Sequence, residues 1–159
     1  MEQTRWLSDA EQHAWRSFID GTRGLADVLD RQLQADNDIP HSYFEILIPL
    51  SEAEGRSLRM SELAELTRSS RSRLSHAIAR LEERGWVRRL NCHTDKRGQN
   101  AVLTDEGFAV LEQAAPGHVA TVRRYLIDEL TPTQIEVLGK IGETMLRTTA
   151  ETDLPPRRG

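Results

Sequence analysis

At Gly85 the hydrophobic period of this chain switches from helical to extended, and few folds carry such a switch in this setting. Upstream, Leu63 and Ala64 mark the inner side of a short helix over about 60–66. Thr67-Arg68-Ser69-Ser70 is a polar turn that offers helix caps. Leu74, Ala77, Ile78 and Leu81 then recur at i, i+3, i+4 and i+7, which predicts another helix. Gly85 is a usual residue just past a helix end. Downstream, Trp86-Val87-Arg88-Arg89-Leu90 and Asn100-Ala101-Val102-Leu103 read as two short strands around a polar tip, a β-hairpin. Helix, polar turn, helix and hairpin in that order describe a winged helix-turn-helix.

The flanks are helical. Ser8-Asp9-Ala10-Glu11 is a capping box, followed by Trp15, Phe18, Ile19, Leu25, Leu29 and Leu33 at helical spacing. The pattern ends at Ala35-Asp36-Asn37-Asp38, and a second helix from about Ile39 carries Tyr43, Ile46, Leu47 and Leu50. Thr104 caps a fifth helix with Phe108 and Leu111 on one face. Pro116-Gly117 is expected to kink or interrupt it, because proline removes a backbone donor. Thr131-Pro132-Thr133-Gln134 is a second capping box, opening a stripe of Ile135, Leu138, Ile141 and Met145. The fold class is therefore mainly α with a small β wing.

Composition narrows the setting. The chain has 159 residues, enough for one domain with a core of its own. Cys92 is the single cysteine, which excludes a disulfide scaffold and fits a reducing cytoplasm. No apolar run approaches the roughly 20 residues that span a bilayer, and the first residues lack the pattern of a secretory signal.

The net charge of -4 hides an uneven distribution. Between Arg56 and Asn100 there are eleven Arg and Lys against five Asp and Glu; the rest of the chain has ten against twenty. A basic middle in an acidic frame is the footprint of a phosphate-binding module, although charge runs also occur as plain solvated faces. A recognition helix needs one apolar face for its core and one polar face for a groove. Opposite the Leu74-Ala77-Ile78-Leu81 stripe lie Ser72, Ser75, His76 and Ala79, with Arg73 and Arg80 at a flank and Ser70 and Arg71 at the start. Small side chains permit close approach to base edges, and arginine can hold guanine O6 and N7 together. On the wing, Asp95 and Arg97 are two apart and can face one side, so the carboxylate can aim Arg97 into a minor groove. Lys96 and Arg89 are the expected phosphate contacts.

These pieces resemble the multiple antibiotic resistance regulator (MarR) family of bacterial transcription factors. The resemblance is carried by Met60-Ser61-Glu62-Leu63-Ala64, Ser72-Arg73-Leu74, Leu81-Glu82-Glu83-Arg84-Gly85-Trp86-Val87-Arg88-Arg89, Asp95-Lys96-Arg97-Gly98 and Val102-Leu103-Thr104-Asp105-Glu106-Gly107, in that order and spacing. It extends over roughly Gln12 to Thr148. It implies one domain over 1–159, with dimerisation helices at 8–55 and 104–148 and a winged helix-turn-helix DNA-binding lobe at 56–103. It also implies a homodimer on a pseudo-palindromic operator, usually a repressor released by a small ligand. The long apolar stripes of the first and last helices favour a dimer independently.

The resemblance further implies a small aromatic or phenolic effector, and Trp15, Phe18, His41 and Tyr43 are its candidate contacts. Trp15 and Phe18 share a helix face on which a ring can stack, and His41 can pair with a carboxylate. Ordinary core or dimer packing accounts for the same residues. Cys92 beside His93 reads as an incidental cysteine rather than a sensor. No histidine pair has zinc-ligand spacing, and no catalytic motif is present, so neither metal nor enzyme is expected. The alternatives are a winged-helix protein-interaction module, or a regulator with no small-molecule ligand.

Overall fold

The computed structural model describes residues 4–91 and 98–150. Among these residues six α-helices and three strands follow one another as α1 (Asp9–Asn37), α2 (His41–Glu52), β1 (Ser57–Arg59), α3 (Met60–Leu66), α4 (Arg71–Glu83), β2 (Val87–Asn91), β3 (Gln99–Leu103), α5 (Asp105–Tyr125) and α6 (Pro132–Ala150).

The helix starts follow from their caps. Ser8 Oγ accepts the Glu11 N–H at 3.4 Å and Glu11 Oε2 accepts the Ser8 N–H at 2.8 Å, the reciprocal box that the residues predict. The Ser8 N–H, and then the Ser8 hydroxyl, donating to Glu11 Oε2 hold the Glu11 carboxyl below its usual range. Thr131 and Gln134 repeat the arrangement ahead of α6. At the other end of α1, Asp38 adopts the left-handed conformation, φ 54°, and its N–H bonds back to Gln34 at 3.1 Å. Asp30 Oδ1 accepts the His41 N–H at 2.8 Å, which pins the α1–α2 corner.

The wing is a three-stranded antiparallel sheet in the order β1-β3-β2, with Leu58 opposite Ala101 and Arg89 opposite Ala101 on the other side. Sequence periodicity predicts the hairpin and misses β1, which is three residues long and too short to show a period. One hydrophobic core joins the end of α1, α2, α3, α4, the sheet and the start of α5 through Leu33, Phe44, Leu47, Leu63, Leu74, Ile78, Leu81, Ala101 and Leu111. Helix α2 is thus packed into the same unit as the helix-turn-helix.

Two glycines explain why the wing and α5 meet so closely. Gly85 has φ +76°, which turns the chain from α4 into β2 without a Cβ penalty. Gly107 lies so close to the wing that a Cβ there would overlap the Trp86 carbonyl oxygen and sit 2.8 Å from Leu103 Cδ1. Thr104 locks the junction: its hydroxyl donates to the Gly85 carbonyl at 2.7 Å and accepts the Gly107 N–H at 3.0 Å.

The expected interruption at Pro116-Gly117 does not occur as a break. Helix α5 runs through Pro116 to Tyr125. Helix α5 packs along α1 on both sides of the missing donor, and Gly117 faces that helix, with the flexible Gln32 amide 2.8 Å from where a Cβ would stand. Helix α6 has no buried residue, and Ile135, Val137, Ile141, Met145 and Leu146 are exposed along it. Trp6, Leu7, Trp15, Val119 and Tyr125 are exposed on the same N- and C-terminal portions of the chain. Among the described residues no helix is long and apolar enough to cross a membrane.

Candidate nucleic-acid interface

Helix α4 presents two chemically distinct sides. Leu74, Ile78 and Leu81 are buried in the core, while Arg71, Ser72, Arg73, His76 and Arg80 are exposed. Ser70 caps the helix, its hydroxyl accepting the Arg73 N–H at 3.2 Å. No acidic residue lies in the first turn, so the positive end of the helix dipole stands beside Arg71 and Arg73 with no carboxylate of that turn against it. A surface of this kind attracts phosphate and places two guanidinium groups where a groove floor would be.

Between the starts of α3 and α4 and the stem of the wing lies a groove of about 400 Å3, lined by Arg59, Met60, Ser61, Arg71, Ser75 and Gln99. Arg59 and Ser61 were not candidates from the sequence. The strand that brings Arg59 to this groove is β1, the element that periodicity does not reveal.

Two predicted contacts are engaged inside the protein. Arg89 was expected to meet phosphate. Its side chain is 25% exposed and turned inward: Nη2 donates to the Ser75 carbonyl oxygen at 2.6 Å. Its Nε lies 3.3 Å from Glu82 Oε2 as an ion pair without hydrogen-bond alignment, and its backbone N–H donates to Glu82 Oε1 at 2.9 Å. The Ser75 carbonyl and the Glu82 carboxylate of α4 hold the guanidinium by one hydrogen bond and an ion pair, so Arg89 braces β2 against α4. Arg80 Nη1 donates to Glu83 at 2.8 Å, and that hydrogen bond and charge raise its already high pKa. Arg80 is exposed and charged, with Glu83 offsetting part of its field. Asp95, Lys96, Arg97 and Cys92 lie outside the described residues.

The four candidate effector contacts are not gathered within one chain. Trp15 is 55% exposed and lines a hollow with Arg5, Trp6, Leu7, Gln12 and Arg16. Phe18 follows on the same part of α1. His41 sits at the far end of that helix, beside Asp30. Fifteen residues of helix separate Trp15 from Asp30, about 22 Å at the usual rise. The His41 ring stacks on His118 of α5 with centroids 5.8 Å apart, and Phe44 tilts against His118 at 4.7 Å. Burial, then the nearby His41, lowers the His118 pKa, and Glu45 opposes the shift. Tyr43 packs at the edge of the core. Among the described residues, no group of three His, Cys, Asp or Glu side chains is placed to hold a metal.

Comparison with known proteins decides the family. The MarR family model matches residues 39–98. Over nearly its whole length the chain is similar to Sco3205, a MarR family transcriptional regulator from Streptomyces coelicolor whose crystal structure is in complex with DNA. The two share 51% identity and a TM-score of 0.88, covering 98% of this chain and 95% of Sco3205. The chain belongs to the MarR family.

A second MarR family transcriptional regulator from Streptomyces coelicolor, AbsC, is 44% identical with a TM-score of 0.89, covering 94% of this chain and 100% of AbsC. The transcriptional regulator PecS of Dickeya dadantii is 36% identical over 66 residues, 42% of this chain. That match spans 40% of the length of PecS. What these MarR proteins share with the chain throughout is the winged helix and its helical flanks; the match to PecS is confined to a shorter stretch.

Proposed function

We propose that the chain is a sequence-specific DNA-binding regulator that works as a homodimer on a pseudo-palindromic operator. The observation that carries this reading is the polar face at the start of α4. Arg71, Ser72, Arg73 and His76 project from a capped helix end whose opposite side is locked into the core. Such a face can enter a major groove with Arg71 and Arg73 reaching base edges. Sco3205, similar to this chain along nearly its full length, was crystallised with DNA. Lys96 and Arg97, with Asp95, are the proposed wing contacts.

The dimer supplies the second half of the recognition. Helix α6 with its exposed Ile141, Met145 and Leu146 needs an apolar partner surface, and a second copy of the chain supplies one. The segments 8–55 and 104–148 are the proposed dimerisation helices around the 56–103 lobe. Two-fold symmetry then sets two α4 helices about 34 Å apart, one turn of DNA. Repression, and release by an aromatic or phenolic effector, complete the proposal. Any effector pocket that unites Trp15 and Phe18 with His41 and Tyr43 needs the second chain to bring them together.

The test is a fluorescence-anisotropy titration against DNA selected by the protein from a random library, with scrambled DNA as control, at two salt concentrations. Tight, selective binding that falls steeply with salt supports the regulator reading. Weak binding equal for both DNAs rejects it in favour of a protein-interaction module.

A further inference from the structure

Arg84 stands at the opposite end of α4 from the proposed base-reading residues, and its side chain leaves the helix-turn-helix altogether. Its Nη1 donates to the Asp38 carbonyl oxygen at 2.7 Å, and Nη2 lies 3.5 Å from Asp38 Oδ2. The guanidinium also lies over the Trp86 ring, 4.9 Å from its centroid, and Trp86 is buried. Asp38 is the left-handed residue that ends α1, and the next turn of chain is pinned by the Asp30–His41 hydrogen bond. Arg84 therefore joins the end of the recognition helix to the end of the long N-terminal helix, with Trp86 as its floor.

The charge pair alone does little. Asp38 is 92% exposed on its side chain and Arg84 35%, and solvent screens an exposed pair of this kind to little net worth. The carbonyl hydrogen bond is different, because its acceptor is main chain in a fixed turn and the arginine fork is planar and stacked. The link has leverage. Helix α4 has 13 residues and is about 20 Å long. A tilt of roughly 10° hinged at Arg84 moves the Arg71 end by about 3.5 Å, close to one base-pair step.

We propose that Arg84 is a positioning residue for DNA recognition: through Asp38 it fixes the angle of α4 relative to α1, and so the separation of the two recognition helices in the dimer. This rests on the DNA-binding dimer reading above. A residue in this role matters when two α4 helices must fit one DNA at once, and matters little when a single helix binds a half-site.

The experiment compares wild type, Arg84→Ala, Arg84→Lys and Asp38→Asn on two DNAs selected with the wild type. One is the full two-fold site and the other a single half-site in DNA of equal length. Thermal denaturation confirms that each variant is folded. For Arg84→Ala we expect the full-site affinity to fall roughly 3- to 30-fold, the range in which residues that couple two sites act. Half-site affinity and its salt slope should stay at the wild-type level. Arg84→Lys, which can still reach the Asp38 carbonyl, should recover most of the loss, and Asp38→Asn, which keeps that carbonyl, should lose little.

An equal fall on both DNAs with a salt slope smaller by about one would overturn the proposal and make Arg84 a phosphate contact. Unchanged binding to both would overturn it as well. Wild-type protein with no selectivity for any DNA would instead remove the regulator reading, and this inference with it.

Discussion

Arg89 Nη2 donates to the Ser75 carbonyl oxygen at 2.6 Å, and the Arg89 backbone N–H donates to Glu82 Oε1 at 2.9 Å. One residue of the wing stem is thus bonded through both main chain and side chain to the recognition helix. Arg89→Ala should lower stability by about 1–2 kcal/mol, since it removes the side-chain donor to the Ser75 carbonyl oxygen and the ion pair with Glu82, while the backbone hydrogen bond to Glu82 stays. The salt slope of DNA binding should not change, because no phosphate contact is lost. Thermal denaturation and a salt titration of the same variant check both halves. A slope reduced by about one, with stability intact, would return Arg89 to the phosphate role.

Gly107 is the tightest point between the wing and α5. A Cβ there would collide with the Trp86 carbonyl, a main-chain atom that cannot swing aside. Gly107→Ala should destabilise by about 1–3 kcal/mol or more. Gly85→Ala meets a flexible Glu106 carboxylate at 3.2 Å but must hold φ +76°, and should cost about 1–2 kcal/mol. Urea unfolding of the two variants ranks them, and a Gly107→Ala midpoint equal to wild type would contradict the close approach.

His118 carries a pH signature. Its folded pKa is lowered, first by burial and then by His41, so the folded state binds protons less readily than the unfolded chain. The stability tied to its neutral form is complete above the unfolded pKa, near 6.5. It is lost as pH falls from there through the folded pKa. Melting temperature should fall over that window, and His118→Gln should fall less. Parallel pH profiles for the two proteins would show that His118 does not carry the effect.

Helix α6 should report the dimer. Ile141→Asp places a charge in the middle of its exposed apolar stripe, away from the core of the single chain. Light scattering should show the wild type as a dimer and the variant shifted to monomer, with helical content retained. A variant that stays dimeric at low micromolar concentration would move the interface elsewhere.

Residues that signal through their own neighbours were readable in advance. Ser8 with Glu11, Thr131 with Gln134, the Leu74-Ile78-Leu81 stripe and Gly85 each act within one helix or at its end. What escaped depends on distant partners. β1 exists because Ser57 to Arg59 pair with Asn100 to Val102, more than forty residues on, and three residues carry no period of their own. Helix α5 stays continuous at Pro116 with α1 packed alongside it. The inward turn of Arg89 depends on Glu82 and Ser75 of another element; in sequence it is one more arginine in a basic run. Trp15 and His41 look compatible as a pocket until the length of α1 separates them.

The central claim is that the first turns of α4 read bases, and Arg73→Ala tests it most directly. Anisotropy titrations would compare wild type and variant on the selected site and on sites altered one base pair at a time. The account predicts a loss of roughly 1–3 kcal/mol on the selected site, with discrimination relaxed at one base position and retained at the others. An Arg73→Ala protein that keeps the full sequence preference of the wild type would contradict it.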